Sequence, residues 1–247
     1  MPPPESSPEP QLSLVVPVYN EARVLPESVP AMAAQAEELG LAYELLLVDD
    51  GSSDDSAAVI ASLAAERPEV RPLAHERNRG KGAAVRTGCL QARGAKVVFL
   101  DADLSVPLHE LAPLLDALEQ NDVVLGSRRL AGSNIARHQP WLREQLGRGF
   151  TGITRLLLAP EVRDFTCGFK GFRREAARTV FERSALNGWA FDAELVTIAR
   201  VQGLRLSQIP VEWRHDDDTK VRLGAAVLGS LWDLLRILGR RARGLYR

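Results

Sequence analysis

Short apolar runs alternate with longer segments of helical periodicity through the first half of the chain. Leu12–Val18 is β-branched and apolar and predicts a buried strand, and residues 24–39 have helical spacing that ends at Gly40. Further strands are predicted at 43–48, 70–74, 96–100 and 123–126, and further helices at 55–66, 81–93 and 108–119. This alternation predicts an α/β fold built on a doubly wound, mostly parallel sheet.

The regular alternation of predicted strands and helices ends after residue 130. Helix-like segments are predicted at 141–158, 174–183 and 191–202, and a strand at 206–213. No Pro/Gly/Ser-rich linker divides the chain, so we predict one domain over 12–223, a proline-rich disordered leader at 1–11 and a basic amphipathic helix at 224–247. Eighteen apolar residues never run uninterrupted, so no transmembrane helix is expected.

Polar clusters follow four of the predicted strands at their carboxyl ends. They are Tyr19-Asn20-Glu21, Asp49-Asp50, Asp101-Ala102-Asp103 and Ser127-Arg128. The carboxyl ends of parallel strands meet at one edge of the sheet, and ligands bind beyond that edge. The four clusters therefore predict one site there.

Asp101 and Asp103 are the most informative pair in the chain. Side chains two apart in an extended segment point to the same side, and two adjacent anions need a cation. Carboxylate oxygens suit Mg²⁺ or Mn²⁺, and Mg²⁺ is often held by one or two carboxylates plus substrate phosphates. The pair predicts a metal–diphosphate site, although Asp-x-Asp also occurs on solvated loops.

Composition and missing motifs exclude several other classes. A formal net charge of −1 gives no general attraction for nucleic acid. Cys89 and Cys167 are too far apart in sequence for a zinc motif or a disulfide framework, which fits a reducing cytoplasm. No Gly-x-Gly-x-x-Gly follows the first strand, and Gly80-Lys81-Gly82 lacks the upstream glycine of a P-loop.

Five motifs occur in sequence order: Val16-Pro17-Val18-Tyr19-Asn20-Glu21, Val48-Asp49-Asp50-Gly51-Ser52, Asn78-Arg79-Gly80-Lys81-Gly82, Asp101-Ala102-Asp103 and Gly126-Ser127-Arg128. Their identity and order resemble family 2 of the inverting glycosyltransferases, which have the GT-A fold. Three later segments resemble the dolichyl- or polyprenyl-phosphate β-glucosyltransferase branch: 164–170, 189–195 and 209–214. Ser105 departs from the pattern, because many relatives carry Gln there.

The resemblance implies transfer of glucose from UDP-glucose onto a polyprenyl or dolichyl phosphate, with Mg²⁺ or Mn²⁺. The residues implied in donor binding are Pro17, Tyr19, Glu21, Asp49, Asp50, Lys81 and Asp101. Tyr19 can stack on a base, one of the two adjacent aspartates can accept from uracil, and Lys81 suits a diphosphate. Asp103 is the implied direct metal ligand, with Asp101 on the metal through water or on the ribose.

The acceptor side is predicted to carry cations that grip a phosphate, because arginine suits bidentate phosphate contacts. The candidates are Arg128, Arg137, Lys170, Arg214 and Lys220. The predicted catalytic residues are Asp103, Asp192 and Arg128. A phosphate acceptor is already an anion near pH 7, so Asp192 would orient groups rather than take a proton. Glu194 is compatible with a helix surface.

Alternative functions remain open at this point. The donor could be GDP-mannose, the acceptor could be soluble, or the chain could bind nucleotide sugars without turnover. Residues 224–247 combine apolar positions with Trp232, Tyr246 and several arginines, a composition typical of an interfacial helix but also of a helix packed on the domain. The predicted location is cytoplasmic, with peripheral contact to the membrane.

Overall fold

The computed structural model describes residues 9–135, 149, 151–188, 190–214 and 223–247. Seven strands form the main sheet: β1 (Leu12–Val18), β2 (Tyr43–Asp49), β3 (Val70–Ala74), β4 (Lys96–Leu100), β5 (Val123–Ser127), β7 (Phe169–Arg173) and β8 (Leu206–Pro210). Their order is β3-β2-β1-β4-β7-β5-β8. All neighbours are parallel except at β7, which runs antiparallel to both β4 and β5.

Strand β7 is absent from the sequence-based prediction. Its segment, Phe-Lys-Gly-Phe-Arg, places a lysine and a glycine at positions that are buried in the centre of the sheet. Both residue types are depleted in strands, so the local signal is weak. Pairing with β4 and β5 on its two sides decides the conformation here.

Within the described residues, eight helices cover the sheet. They are α1 (Leu25–Glu38), α2 (Ser56–Glu66), α3 (Lys81–Gln91), α4 (Leu111–Ala117), α5 (151–157), α6 (Arg174–Arg183), α7 (Phe191–Val201) and α8 (Leu223–Ala242), with a 3₁₀ turn at Leu108–Glu110 before α4. The predicted helix at 141–158 is described only at 149 and from 151 onward, where it is helical until 157.

Alternate residues of the strands supply two separate cores, one on each face of the sheet. In β1, Val15 belongs to the core under α3, α6, α7 and α8, whereas Leu14 and Val16 belong to the core under α1 and α4. Side chains in a strand alternate between faces, so a strand covered on both sides reads as a continuous apolar run.

Two of the predicted boundaries that shift do so through backbone hydrogen bonds. The predicted strand at 206–213 breaks at Val211, because β9 (Glu212–Trp213) leaves the main sheet and pairs in parallel with β6 (Asn134–Ile135). Within the predicted leader, Gln11 already bonds to the sheet, its N–H donating to the Ala42 carbonyl at 2.7 Å. Residues 1–8 lie outside the described part.

Helix α8 packs on the domain through one face, with Leu234 and Ile237 buried in the core together with Tyr246 beyond its end. Within the described residues, no helix is long and apolar enough to cross a membrane.

Candidate active site

Strands β1 and β4 separate at their carboxyl ends. Their pairing stops at Val15 and Phe99, two residues before Pro17 and Asp101. Proline has no N–H to offer to a ladder, so the next hydrogen bond could not form. Beyond this point β1 pairs with β2 alone, up to Val18 and Asp49, and the edge opens between β1 and β4.

The loop after β1 is hydrogen-bonded to the segment that follows β2. Asn20 has a positive φ of 57°, and its Oδ1 accepts a hydrogen bond from the Ser53 N–H at 2.7 Å. The Glu21 N–H donates to the Ser56 hydroxyl at 2.8 Å. Tyr19, between the strand and this clamp, is 40% exposed, so a large ring is presented at the edge where base stacking was predicted.

Asp49 and Asp50 are both buried, but they have different partners. Asp50 accepts from His75 Nδ1 at 2.6 Å, from the Arg79 N–H at 3.0 Å and from the Gly80 N–H at 2.7 Å. Its carboxylate therefore shapes the loop before α3. Among the described residues, the Asp49 carboxylate accepts only from the Ser52 N–H, at 3.0 Å. Asp49 keeps the spare acceptor capacity that recognition of a base N–H requires.

Lys81 lies at the start of α3, and its ammonium forms an ion pair with the Asp101 carboxylate. Burial opposes its charge, but Asp101, Asp192 and Asp103 outweigh that effect and raise the pKa of Lys81. Lys81 is therefore a cation beside the acidic pair. The helix N-terminus itself is partly occupied, because the Gly82 N–H donates to the Asn187 carbonyl at 2.9 Å.

Asp101 and Asp103 occupy different environments. Asp101 is held by Lys81 and lies against Gly168, where an added Cβ would come within 2.1 Å of its carboxylate. Asp103 is exposed and accepts from the Ser105 N–H at 2.9 Å. The surrounding protein and the Asp101 charge raise the pKa of Asp103.

The turn between these groups is strained. Leu104, between Asp103 and Ser105, has a φ of 52°, a region that a leucine rarely adopts. The Leu104 N–H donates to the Asp101 carbonyl at 3.2 Å, which closes the turn. Strain of this kind is concentrated at functional sites, and the amino-acid sequence carries no signal for it.

Lys170, which was predicted to bind the acceptor, lies inside the protein. Its side chain is fully buried, and the ammonium donates to the Asp192 carboxylate and to the Cys167 carbonyl, each at 2.5 Å. It also lies over the Phe99 ring. An enclosed ammonium with these partners does not line an accessible surface, because a buried charge must be paired within the protein.

Asp192 lies in the first turn of α7 and is buried beside Lys170. Burial raises the pKa of Asp192, and the positive charges of Lys170 and Lys81 oppose that rise. The carboxylate is thus part of a chain of alternating charges that runs from Lys170 through Asp192 toward Lys81 and Asp101.

Arg128 follows β5 and forms a bidentate ion pair with Asp164, with N–O distances of 2.7 and 2.9 Å. It also donates to the Thr166 hydroxyl at 2.9 Å and lies 5.3 Å from the centre of the Trp213 ring. Burial opposes the charges of both partners, yet their mutual attraction lowers the pKa of Asp164 and raises that of Arg128. The edge of the Arg128 guanidinium that was predicted to bind a phosphate binds the Asp164 carboxylate in this structure.

Arg214 is exposed and its guanidinium bonds to Glu212, but its backbone N–H donates to the Ser105 carbonyl at 2.9 Å. The segment that follows β9 is therefore tied to the acidic turn. Arg137 and Lys220, the other predicted acceptor ligands, lie outside the described residues.

Together, these contacts assemble an acidic pair, a lysine and an exposed tyrosine at one edge of a doubly covered sheet, the arrangement expected of an enzyme that handles a nucleotide diphosphate. Among the described residues, no cluster of three or more His, Cys, Asp or Glu side chains could hold a metal.

Comparison with solved structures identifies the fold. Glucosyl-3-phosphoglycerate synthase from Mycobacterium tuberculosis, in complex with Mn²⁺, UDP and glucosyl-3-phosphoglycerate, matches with a TM-score of 0.69 at 20% identity, covering 93% of this chain and 80% of that one. The predicted GT-A fold is confirmed.

The profile of glycosyl transferase family 2 matches residues 13–181, and the chain belongs to this family. A dolichyl-phosphate β-glucosyltransferase of Trichomonas vaginalis is 35% identical over 237 residues, covering 91% of this chain and 70% of that protein. The dolichyl-phosphate β-glucosyltransferase of Drosophila melanogaster is 34% identical, covering 98% and 79%. The predicted family resemblance is confirmed.

Proposed function

We propose that this chain transfers glucose from UDP-glucose to a polyprenyl or dolichyl phosphate with inversion at the anomeric carbon. The observation that carries the proposal is the identity of 35% over nearly the whole chain to a dolichyl-phosphate β-glucosyltransferase. In the reaction, an acceptor phosphate oxygen forms the new bond to the anomeric carbon. The bond from that carbon to the UDP oxygen breaks, and UDP leaves.

The buried position of Asp192 supports a reaction without a general base. Its carboxylate is paired with the enclosed Lys170 ammonium at 2.5 Å, which favours an orienting role. A phosphate monoester is anionic near pH 7, so its attacking oxygen does not need a base to remove a proton. Lys81 would stabilise the departing diphosphate. Its ammonium would have to leave the Asp101 carboxylate in order to contact the diphosphate fully.

The acidic pair fits a divalent ion. Asp103 is exposed with one engaged oxygen, and Asp101 lies two residues away, held by Lys81. When bound, Mg²⁺ or Mn²⁺ would neutralise charge on the leaving diphosphate as a Lewis acid. The solved complexes of the mycobacterial enzyme contain Mn²⁺ and UDP-glucose, which supports the choice of metal and nucleotide.

Exposed apolar side chains support peripheral contact with a membrane, where a lipid acceptor would reside. Trp232 and Leu235 on α8 are 65% and 60% exposed, and Leu156 on α5 is 82% exposed. In helix α5, the polar side chains of Thr151 and Thr154 are buried, whereas Leu156 and Leu157 are exposed. Arg241, exposed in the last turn of α8, adds the positive charge that anionic lipids attract.

The test is a donor and acceptor screen with the purified chain and Mg²⁺ or Mn²⁺. UDP-glucose, UDP-N-acetylglucosamine, UDP-galactose and GDP-mannose would each be offered with a short polyprenyl phosphate or with a soluble acceptor, and the product analysed for sugar and anomeric configuration. We expect β-linked glucose from UDP-glucose. Transfer from GDP-mannose alone would refute the donor, transfer only to soluble acceptors would refute the lipid, and binding without turnover would indicate a nucleotide-sugar-binding protein.

A further inference from the structure

Glu194 on α7 is completely buried, in contrast to the exposed helix position that its sequence context allows. A carboxylate inside the protein needs several donors. Its Oε2 accepts from the Ala185 and Leu186 N–H groups at 2.9 and 2.8 Å, and its Oε1 accepts from the Tyr246 hydroxyl at 2.7 Å. The family reaction described above uses none of these contacts.

The segment bound by Glu194 lies directly against the loop that carries Lys81. The Asn187 carbonyl accepts from the Gly82 N–H at 2.9 Å, and its side-chain oxygen accepts from Arg86 at 2.7 Å. An added Cβ on Gly80 would lie 2.5 Å from the Asn187 carbonyl oxygen, and one on Gly82 would lie 2.7 Å from that of Leu186. Backbone packs on backbone here, so a shift of 185–187 must move Lys81.

The other partner of Glu194 comes from the end of the chain. Tyr246 is fully buried four residues after α8, and its ring lies 5.3 Å from the guanidinium of Arg240. Arg240 is 3.6 Å from the Glu194 carboxylate, and the Tyr246 carbonyl accepts from Gln202 at the end of α7. Burial and the Glu194 charge raise the pKa of Tyr246, so its hydroxyl keeps the proton that it donates.

We propose that Glu194 is a positioning residue for Lys81, and that the Tyr246 hydroxyl completes its set of donors. The C-terminal helix thereby holds the loop at residues 78–82 in the conformation that receives the nucleotide diphosphate. The proposal rests on the proposed function only for the identity of that ligand. The coupling itself, from Tyr246 through Glu194 and residues 185–187 to Lys81, rests on the contacts above.

The test is Tyr246→Phe, which removes one hydroxyl and leaves the ring in place. The matched control is Tyr43→Phe, because the Tyr43 hydroxyl also bonds to carboxylates, those of Glu37 and Glu69 at 2.9 and 3.3 Å, near the opposite edge of the sheet. Hydrogen exchange of the amides in 79–86 and 184–188 would be compared, together with UDP affinity by calorimetry. We expect about tenfold faster exchange and about tenfold weaker UDP binding for Tyr246→Phe alone, as loss of one hydrogen bond to a charged group predicts.

Glu194→Gln provides a second variant, which keeps an acceptor for Tyr246 but offers the 185–186 amides no charge. We expect its exchange in 79–86 to be faster than in the wild type as well. Exchange in 79–86 that stays at the wild-type rate in both variants, with only a lower melting temperature, would overturn the proposal and leave Glu194 a stabilising core residue. Exchange needs no substrate, so faster exchange without UDP binding in any variant would support the coupling while refuting the proposed donor.

Discussion

Glu44 at the amino edge of the sheet and Asp103 at the carboxyl edge are acidic groups in opposite environments. At the amino edge, Glu44 accepts from the Ser13 hydroxyl and the Arg93 N–H, each at 2.6 Å, and from the Arg71 guanidinium. At the carboxyl edge, Asp103 is exposed and accepts from Ser105. The number of protein partners thus separates a carboxylate that stabilises the fold from one kept available for a ligand.

The pKa directions express the same difference. Burial opposes ionisation of Glu44, but its hydrogen bonds to Ser13, Arg93 and Arg71 prevail and lower its pKa. The surrounding protein and the charge of Asp101 raise the pKa of Asp103. The charge on Glu44 therefore stabilises the folded state, whereas the neighbouring charge of Asp101 disfavours the charge on Asp103.

The largest effect that this comparison predicts is loss of activity on changing Asp103. We expect Asp103→Ala to lower turnover about a thousandfold, since a catalytic metal supplies several kcal/mol of charge stabilisation. The melting temperature should stay the same or rise slightly, because repulsion with Asp101 is removed. Steady-state rates at saturating Mn²⁺ test this, with Asp116→Ala on the exposed face of α4 as the control. Retained turnover would remove Asp103 from the metal role.

The second prediction concerns the amino edge. Glu44→Gln should lower the free energy of unfolding by about 3 kcal/mol, because it leaves buried donors without their anionic partner. Nucleotide affinity should not change, since this edge is remote from the site. Denaturant unfolding and UDP calorimetry measure the two quantities. A large loss of UDP affinity in a folded Glu44→Gln protein would contradict the separation of the edges.

The pH dependence of stability tests the role of the Glu44 charge further. The lowered pKa means that Glu44 contributes stability above its unfolded value of about 4.3, and the contribution is lost as the pH falls through the lower folded value. The difference in unfolding free energy between wild type and Glu44→Gln should therefore be full at pH 7 and shrink below pH 4. An equal difference at both pH values would show that the charge is not responsible.

The smallest expected effect belongs to the open face of α8. Replacing Trp232 and Leu235 together by serine should weaken binding to anionic vesicles about tenfold, because less apolar area enters the interface. Stability should hardly change, as both side chains are exposed. Co-sedimentation measures binding, and Leu90→Ser, an exposed leucine on α3, is the control. Unchanged sedimentation of the double variant would exclude this face as a membrane contact.

Deletion of 224–247 is not an equivalent experiment. Leu234, Ile237 and Tyr246 belong to the core, so deletion would remove packed side chains and the Tyr246–Glu194 contact together with the exposed face. The sequence composition is compatible with both an interfacial and a packed helix. The structure assigns packing to one face and leaves the other exposed.

The sequence by itself determined the parallel half of the sheet and the position of the site. Strands β1 to β5 are marked by local apolar runs, and their polar ends must meet at one edge because the strands are parallel. The family followed from motifs at those ends. Each of these signals lies within a few residues of the chain, so no knowledge of distant contacts was needed.

Only the tertiary structure decided how the charged residues are used. Lys170 meets Asp192 across 22 positions, Arg128 meets Asp164 across 36, and Glu194 meets Tyr246 across 52. Strand β7 likewise exists through its two neighbours in the sheet. A charged side chain looks the same in sequence whether it is solvated or enclosed. The partner that decides between the two comes from a distant segment, and folding alone brings it into contact.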